Sequence, residues 1–408
     1  MQKTVILSML VILSSLTFAA WEPLGPYGGN LYAMAAAPSN SNVLYSAVYG
    51  TPAPIYRSTD GGVSWVRAGQ ISSYIFSLAV DPTNPAIVYA GGYTYVYKST
   101  NSGATWTSAS AGTYYIYAIA VHPTNPSYVY AATRTTYSTR SVMAFSRSTN
   151  GGATFTTMGL DTLNGLSYSI AVDRINPNNI LVGGYSSSTT TVPKVYKSAN
   201  GGTIFTDVSG TITGSYVYAL AVHPTNSSIV YAGTYAGGIW RSINGGTTWT
   251  QATTATYIYT LATSPAAPDV AYAGTMTYVY KSTNAGASWA LASTGLTGSY
   301  FRGLAVHQTQ PSIVVTANGS GAFRSTNSGG NWVESNAGLN TASIGTFSLA
   351  RSQPSTIYAE YTGVAVYKTI NSGTSWTKLP SFLSCGNICG MAVDPTNPNV
   401  CFGLEGAG

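Results

Sequence analysis

The segment YKSTNSGATW, residues 97–106, decides the fold because versions of it return along the chain. Counting from Ser99, each copy has Asp or Asn two positions later, Gly four positions later, and Trp or Phe seven positions later. A repeat of this kind indicates units that bury their apolar surfaces against one another. The copies start at Ser58, Ser99, Ser148, Ser198, Ser242, Ser282, Ser325 and Thr369.

A second motif runs in phase with the first. It reads AVDPTNP over residues 79–85 and continues as IVYAG over residues 87–91. Pro and Asn indicate a turn, and the β-branched and aromatic residues on both sides indicate strands. Each unit therefore reads as strand A, a Pro-Thr-Asn turn, strand B, a loop, strand C, the Ser-x-Asn-x-Gly turn and strand D. Related segments start at Ala35, Ala120, Ala171, Ala221, Ala262, Ala305, Ala350 and Ala392.

The period of the repeat predicts the architecture. Copies are spaced by 40 to 50 residues, which is typical of a four-stranded propeller blade. We predict an all-β fold, a single β-propeller of four-stranded antiparallel blades, with eight blades favoured and seven or nine left open. Residues 20–408 form this domain, and extra strands within 20–29 and 386–408 either close the ring or pair with another molecule, because an unfinished blade has unpaired backbone groups.

The N-terminus, residues 1–19, has the pattern of a secretory signal peptide. Lys3 precedes an apolar run, and the segment ends in small residues at Ala19. A retained anchor or a buried strand is the alternative interpretation. Since no second long apolar run follows, we expect no membrane span after cleavage, and a location that is secreted, extracellular or at the cell surface.

Composition argues against one class of function, and the cysteine count bears on disulfide bonding. Charged residues make up 7% of the chain, and the net charge of +6 is spread along it, so nucleic-acid binding has little support. An oxidising compartment permits disulfides. Cys389 and Cys401 fall on neighbouring predicted strands and could pair, which leaves Cys385 as the odd thiol.

These repeats resemble the Asp-box (BNR-repeat) propeller family, whose motif is matched in full by Ser58, Asp60, Gly62 and Trp65. That family includes sialidases, xyloglucan-cleaving glycosidases, sortilin-like receptors and a photosystem assembly factor, so the resemblance implies the fold strongly and the function weakly. Seven of the eight boxes carry Asn in place of Asp. We expect the box to be structural, with Ser and Asn bonding the turn and the aromatic packing beneath it. The further box residues are Ser99, Asn101, Gly103, Trp106, Asn150, Phe155, Asn200, Phe205, Asn244, Trp249, Asn284, Trp289, Asn327, Trp332, Asn371 and Trp376.

A catalytic site is not predicted. Glycoside hydrolysis requires two paired carboxylates, whereas the eleven acidic residues fall mostly on turns or on the outer strand. His122, His223 and His307 occupy the position of Asp81 in the A–B turn, where we expect them to cap the turn; a metal site at one channel end is the alternative. We therefore expect no enzyme activity, no cofactor and no resident metal.

Strand A is predicted to line the central channel. Its residues alternate, but both faces are apolar or small, as expected of a strand between neighbouring blades. Arg302 replaces an aromatic residue in this column, and we favour its bonding to local carbonyls. The candidate channel-lining residues are Phe76, Tyr117, Tyr168, Tyr218, Tyr259 and Arg302.

The abundance of tyrosine, 32 residues, leaves three classes of function open. The favoured hypothesis is a non-enzymatic structural protein that self-associates into a stack or filament through Tyr-, Ser- and Thr-rich faces and terminal strands. Its partner would be a second copy of the chain. The first alternative is a carbohydrate-binding or glycoside-hydrolase propeller of the sialidase or xyloglucanase type, with an extracellular glycan as ligand. The second is a receptor-like or assembly-factor propeller that binds peptide or protein.

Overall fold

The computed structural model describes residues 30–336 without a gap and, beyond them, residues 344–349, 353, 355–361, 365–371, 376–379, 388–393, 397–399 and 401–405. The predicted signal peptide 1–19, the strand predicted in 20–29 and Cys385 lie outside the described residues. All regular secondary structure in the described part is β-strand. Within that part, no helix is long and apolar enough to cross a membrane.

The strands form four-stranded antiparallel sheets in chain order, which confirms the predicted propeller architecture. The first sheet holds β1 (Leu31–Ala37), β2 (Asn40–Val48), β3 (Ala53–Ser58) and β4 (Val66–Ile71). The second sheet holds β5 (Ser77–Val80), β6 (Val88–Gly91), β7 (Tyr95–Ser99) and β8 (Thr107–Ser110). The next are β9 (Ala118–Val121), β10 (Val129–Tyr137), β11 (Arg140–Ser148), β12 (Thr156–Val172), β13 (Ile180–Ser187), β14 (Thr191–Ser198) and β15 (Thr206–Asp207). The long strand β12 ends the third blade and begins the fourth, so these two blades share one seven-stranded sheet.

Three further blades follow the same order of strands. They are β16 (Val217–Val222), β17 (Val230–Thr234), β18 (Ile239–Ser242), β19 (Thr250–Thr253); β20 (Thr260–Ser264), β21 (Ala267–Gly274), β22 (Val279–Ser282), β23 (Ala290–Leu291); and β24 (Gly303–Val306), β25 (Val314–Asn318), β26 (Gly321–Ser325), β27 (Val333–Glu334). An eighth four-stranded unit holds β28 (Ile344–Leu349), β29 (Ile357–Tyr361), β30 (Ala365–Thr369) and β31 (Thr377–Lys378). The pair β32 (Ile388–Val393) and β33 (Cys401–Glu405) comes last.

The ring closes through seven blades rather than the favoured eight. The innermost strands β1, β5, β9, β12, β16, β20 and β24 each pack against the next, and β24 packs against β1. Trp65 in blade one donates its indole N–H to the backbone oxygen of Ser335, 3.0 Å away. The eighth four-stranded unit packs chiefly through β28 against β32. Repeat counting gives the number of units, but the packing between inner strands decides which unit meets the first.

A column of Arg and Lys residues beside the boxes ties neighbouring blades together. Lys98 of blade two donates to the backbone oxygen of Gly151 in the box of blade three, at 2.7 Å. The contact occurs at six of the seven blade interfaces, and Arg324 of blade seven donates to Gly61 O of blade one at 2.9 Å. The exception is the interface between blades one and two, where Arg57 Nε has no hydrogen-bond partner among the described residues. The intervening pairs are Arg147–Gly201, Lys197–Gly245, Arg241–Ala285 and Lys281–Ser328.

Replacing Arg324 with glutamine should therefore weaken the ring at its point of closure. A hydrogen bond from a charged donor is worth about 1.5–3 kcal/mol, and we expect the free energy of unfolding to fall by that amount. The measurement is urea denaturation followed by tryptophan fluorescence. Arg67→Gln is the control, because Arg67 is exposed and among the described residues bonds only the nearby Gln70, and it should change the stability by less than about 0.5 kcal/mol. Equal effects of the two substitutions would contradict the assignment.

The box turns are held by hydrogen bonds within the turn. In the second blade, Gly103 N donates to Ser99 Oγ at 2.8 Å and Thr105 N donates to Asn101 Oδ1 at 2.9 Å. Asn101 Nδ2 also donates to Thr105 Oγ1 at 2.8 Å, whereas in the first blade Ser64 Oγ donates to the Asp60 carboxylate. When Asn replaces Asp, the hydrogen bond between this side chain and the hydroxyl four residues later is kept, but the amide donates it where the carboxylate accepts it.

Candidate functional site: the tyrosine face of the channel

The two ends of the central channel differ in chemistry. The A–B turns and the boxes lie at the same end, as shown by hydrogen bonds such as Gly61 N to Asn42 O and Ser102 N to Ala86 O. We call this end the box face. The opposite end carries the B–C and D–A connections and most of the clustered tyrosines, and we call it the tyrosine face.

The predicted histidines lie on the box face. Nδ1 of His122 accepts a hydrogen bond from Asn125 N at 3.1 Å, and Nδ1 of His307 accepts one from Gln310 N at 3.0 Å. Asp81 Oδ1 does the same for Thr83 N at 2.8 Å. Burial lowers the pKa of both His122 and His307, which favours the neutral ring that can accept at Nδ1. Among the described residues, no three His, Cys, Asp or Glu side chains come together to hold a metal.

The outer acidic residues are placed away from the channel, and Cys401 lies on β33, outside the seven blades of the ring. Asp207 pairs with Lys194 at 2.5 Å and Glu334 pairs with Lys378 at 3.2 Å, all on outer strands or beside them. In the β32–β33 pair, Cys401 lies opposite Val393 rather than opposite Cys389. A disulfide between Cys389 and Cys401 stays a prediction.

Inside the channel, one side chain from each blade forms a closed circle that we call the inner ring. Its members lie in or just before the innermost strand of each blade, towards the tyrosine face. Neighbouring aromatic centroids are 4.5–5.7 Å apart, and Arg302 bridges the gap between Tyr259 and Tyr32. The members are Tyr32, Phe76, Tyr117, Tyr168, Tyr218, Tyr259 and Arg302, and they line a cavity of about 310 Å³.

A second tier of tyrosines surrounds the mouth of the channel above the inner ring. Tyr49 stacks on Tyr32 at 5.3 Å, and Tyr216 meets Tyr168 edge to face at 5.9 Å. On one side of the mouth, Tyr49, Tyr74 and Tyr115 join members of the inner ring in lining a cavity of about 470 Å³. The outer tyrosines are Tyr49, Tyr74, Tyr93, Tyr114, Tyr115, Tyr185, Tyr216, Tyr235, Tyr257 and Tyr300.

Two of the outer tyrosines are held in a strained backbone conformation. Tyr257 has φ of 58° and Tyr300 has φ of 63°, a region that bulky residues rarely adopt. Their N–H groups donate to Tyr235 O and Met276 O, each at 2.7 Å. Strain of about 1–3 kcal/mol at such a residue persists only where the surroundings fix it, and it is frequent at ligand sites.

The phenol groups of the inner ring are neutral under physiological conditions. Burial raises the pKa of Tyr218 to about 12, and burial also raises the pKa of Tyr117 and Tyr168. Burial raises the pKa of Tyr32 and Tyr259 as well, although the Arg302 guanidinium opposes the rise. Arg302 is therefore the one charged member of the inner ring.

Arg302 contacts aromatic rings, whereas the sequence favoured bonding to local carbonyls. Its guanidinium carbon lies 4.3 Å from the ring centroid of Tyr32, 5.1 Å from that of Tyr259 and 5.0 Å from that of Tyr300. Such cation–π contacts hold the group within the channel without neutralising its charge.

Sequence reasoning missed several members of this site. Tyr32 stands two residues before Met34, just as Phe76 stands two residues before Leu78, and aligning the first blade would have found it. Some outer tyrosines follow a strand B tyrosine by four positions, as Tyr93 follows Tyr89 and Tyr49 follows Tyr45, which is a signal in the sequence.

Comparisons with known proteins support the fold. The family model of sortilin, neurotensin receptor 3, matches residues 53–190, about a third of the chain. The GH74 xyloglucanase from Xanthomonas campestris is 15% identical over 92% of this chain and 71% of its own, with a TM-score of 0.64. The GH74 enzyme from Niastella koreensis is 16% identical over 94% of this chain and 70% of its own, with a TM-score of 0.61.

A third solved structure, YCF48 bound to a D1 peptide, is 13% identical over 74% of this chain and 94% of its own, with a TM-score of 0.51. No curated protein matches the chain.

The prediction of a non-enzymatic, self-associating filament is wrong, because the matches are to two GH74 enzymes and to a receptor family. These matches also point away from the expectation that the chain is not an enzyme, and at 13–16% identity what they establish is a β-propeller fold.

Proposed function

We propose that this chain is a carbohydrate-active propeller that takes an oligosaccharide at its tyrosine face. The observation that carries the proposal is the inner ring with the outer tyrosines around it. Tyrosine offers a flat apolar face and a polar hydroxyl at low cost in conformational entropy, so it suits a ligand with apolar ring faces and hydroxyl edges. The GH74 structures support the proposal from outside the chain, since one of them is a xyloglucanase.

The size and exposure of the site are suited to such a ligand. The two cavities share Tyr32, Phe76, Tyr117 and Arg302 in their linings. The volume of each falls within the range of small-molecule sites, about 300–1,000 Å³. Tyr49 is 46% exposed and Tyr93 is 48% exposed, which is unusual for side chains in an aromatic cluster. Exposed aromatic clusters of this kind mark binding surfaces.

Binding and cleavage make different demands on this site. Hydrolysis would need two carboxylates across the scissile bond. No Asp or Glu is among the residues of the described range 30–336 that line the two cavities. Glu360 lies on β29 opposite Thr346 and Val366, and its side chain is outside the described part. A reducing-sugar assay on xyloglucan, β-glucan and acidic oligosaccharides decides between a binding module and a hydrolase.

The first experiment is isothermal titration with xyloglucan, β-glucan and acidic oligosaccharides, using wild type and Tyr74→Ala. Tyr74 lines the mouth, is 39% exposed, and contacts Tyr49 at 5.1 Å. Losing one stacking partner should weaken binding about tenfold, or 1.4 kcal/mol. Tyr95→Ala is the matched control, because Tyr95 is 44% exposed but contacts only Tyr97 among the described aromatic rings. Absence of binding to every oligosaccharide, or equal effects of the two variants, would reject the proposal.

Peptide recognition at the same mouth is the second candidate. The sortilin match covers residues 53–190, which include Phe76, Tyr117 and Tyr168 of the inner ring. The YCF48 propeller was solved with a peptide bound. A random peptide library displayed on phage, panned on wild type and on Tyr74→Ala, tests this candidate. Peptide enrichment that requires Tyr74, without any carbohydrate binding, would replace the first proposal with the second.

A further inference from the structure

Arg302 occupies the one place in the inner ring where an aromatic side chain is replaced by a cation. Its neighbours on both sides of the ring, Tyr259 and Tyr32, contact the guanidinium through their rings, and Tyr300 covers it from the outer tier. The side chain is only partly buried and lines both cavities of the channel. The three rings fix where the guanidinium lies, and the channel gives a ligand access to it.

The charge of Arg302 is not balanced by its surroundings. Within residues 30–336 no carboxylate lies at ion-pair distance from its guanidinium. Asp60, Asp81 and Asp173 belong to turns of the box face at the other end of the channel. The box-face arginines differ in this respect, because Arg147 and Arg324 donate to backbone carbonyls of the next blade.

A second arginine reinforces the positive charge of this face. Arg134 lies over the ring of the outer tyrosine Tyr114, with its guanidinium carbon 4.9 Å from the centroid. No ion pair to Arg134 exists among residues 30–336 either. The aromatic surface thus carries two stacked guanidinium groups, and no acidic residue of the described part lines its cavities. A guanidinium that is held in place by aromatic rings and has no carboxylate at ion-pair distance is suited to binding an anion.

We propose that Arg302 binds the carboxylate of a sugar acid, so that the ligand class is an acidic polysaccharide containing hexuronate residues. This inference rests on the proposed function. A hexuronate carries its carboxylate directly on the sugar ring, so the ring can stack on the tyrosines while the carboxylate meets the guanidinium. The planar guanidinium pairs with a carboxylate through two parallel hydrogen bonds, which a neutral sugar cannot supply.

The test compares trigalacturonate with its methyl ester, which keeps the sugar and removes the charge. Isothermal titration should show that wild type binds the acid at least about tenfold more tightly than the ester, since charge-assisted bonds are the strong ones. Arg302→Gln should remove this preference, because it should weaken binding of the acid at least about tenfold more than binding of the ester. Arg302→Lys keeps the charge but loses the fork, so it should retain part of the preference.

Arg67→Gln is the control for net charge, because it removes one positive charge from an exposed outer strand. It should keep the full preference. The thermal midpoints of all variants should match that of wild type, which excludes misfolding.

Each other outcome has a defined meaning. If wild type binds ester and acid equally, or if Arg302→Gln keeps the preference, the carboxylate assignment is overturned while carbohydrate binding stands. If a sulfated oligosaccharide binds as tightly as trigalacturonate, Arg302 is a general anion site and the inference fails. If no oligosaccharide binds in any form, the proposed function itself fails.

Discussion

Replacing Trp332 with alanine should lower the free energy of unfolding by about 3–5 kcal/mol, the range for removing a large aromatic from a packed core. Trp332 is the box aromatic of blade seven and is 2% exposed. It packs in one cluster with Tyr272, Phe301 and Phe323, and its indole N–H donates to Ala292 O at 2.8 Å. The change would leave a cavity between blades six and seven and an unpaired carbonyl. Urea denaturation followed by circular dichroism measures the effect.

Trp289→Ala is the matched control for this prediction. Trp289 holds the same box position in blade six, but it is partly exposed and its indole N–H has no hydrogen-bond partner among the described residues. Its main aromatic contact is edge to face with Tyr231 at 6.2 Å. We expect a loss of about 1–3 kcal/mol. Equal losses at the two positions would show that the box motif, rather than burial and the interblade hydrogen bond, sets the contribution.

Alkaline pH should destabilise this protein more steeply than an average domain. Burial is the main reason that the pKa values of Tyr89, Tyr130 and Tyr272 are raised to about 12, against about 10 in the unfolded chain. Between these two values the unfolded state has lost protons that the folded state keeps, so stability is full below pH 10 and falls as the pH rises. Each such tyrosine contributes about 1.4 kcal/mol per pH unit, and the three together about 4.

Urea midpoints at pH 8, 9, 10 and 11, read with phenolate absorbance, test this expectation. Tyr130→Phe isolates one contribution, because the Tyr130 hydroxyl is buried without a hydrogen-bond partner among the described residues. The variant should match wild type at pH 8 and lose less stability at pH 11. A wild type whose stability is flat up to pH 11 would contradict the assigned burial.

The sequence predicts the blade well because the blade is local. The Pro-Thr-Asn turn, the box turn and the alternation in strand A are set within about 45 residues, where turn chemistry and β propensity act directly. The number of blades in the ring is set by contacts between residues far apart in the chain. It depends on contacts such as Trp65 to Ser335 and Arg324 to Gly61, which no local pattern encodes.

The candidate site was predictable in part for the same reason. The strand A column gave Phe76, Tyr117, Tyr168, Tyr218 and Tyr259, because a repeat places equivalent residues around one axis. Tyr300 is two positions from Arg302, but Tyr32 and Tyr259 come from the first and sixth blades, so stacking on these two rings could not be inferred from neighbours in the chain. The outer tyrosines come together only when the B–C and D–A connections share one end.

The closing contact between the first and seventh blades also constrains how the chain is made. Trp65 and Ser335 are separated by 270 positions, so the ribosome must deliver most of the domain before blade one meets its final neighbour. At about 5–20 residues per second, that interval is about 15–50 s. During that time the first blade has one flank without a partner, and early translation products are the species that a chaperone or a protease would meet. Final closure is then a slow, long-range step, as expected for folds with high contact order.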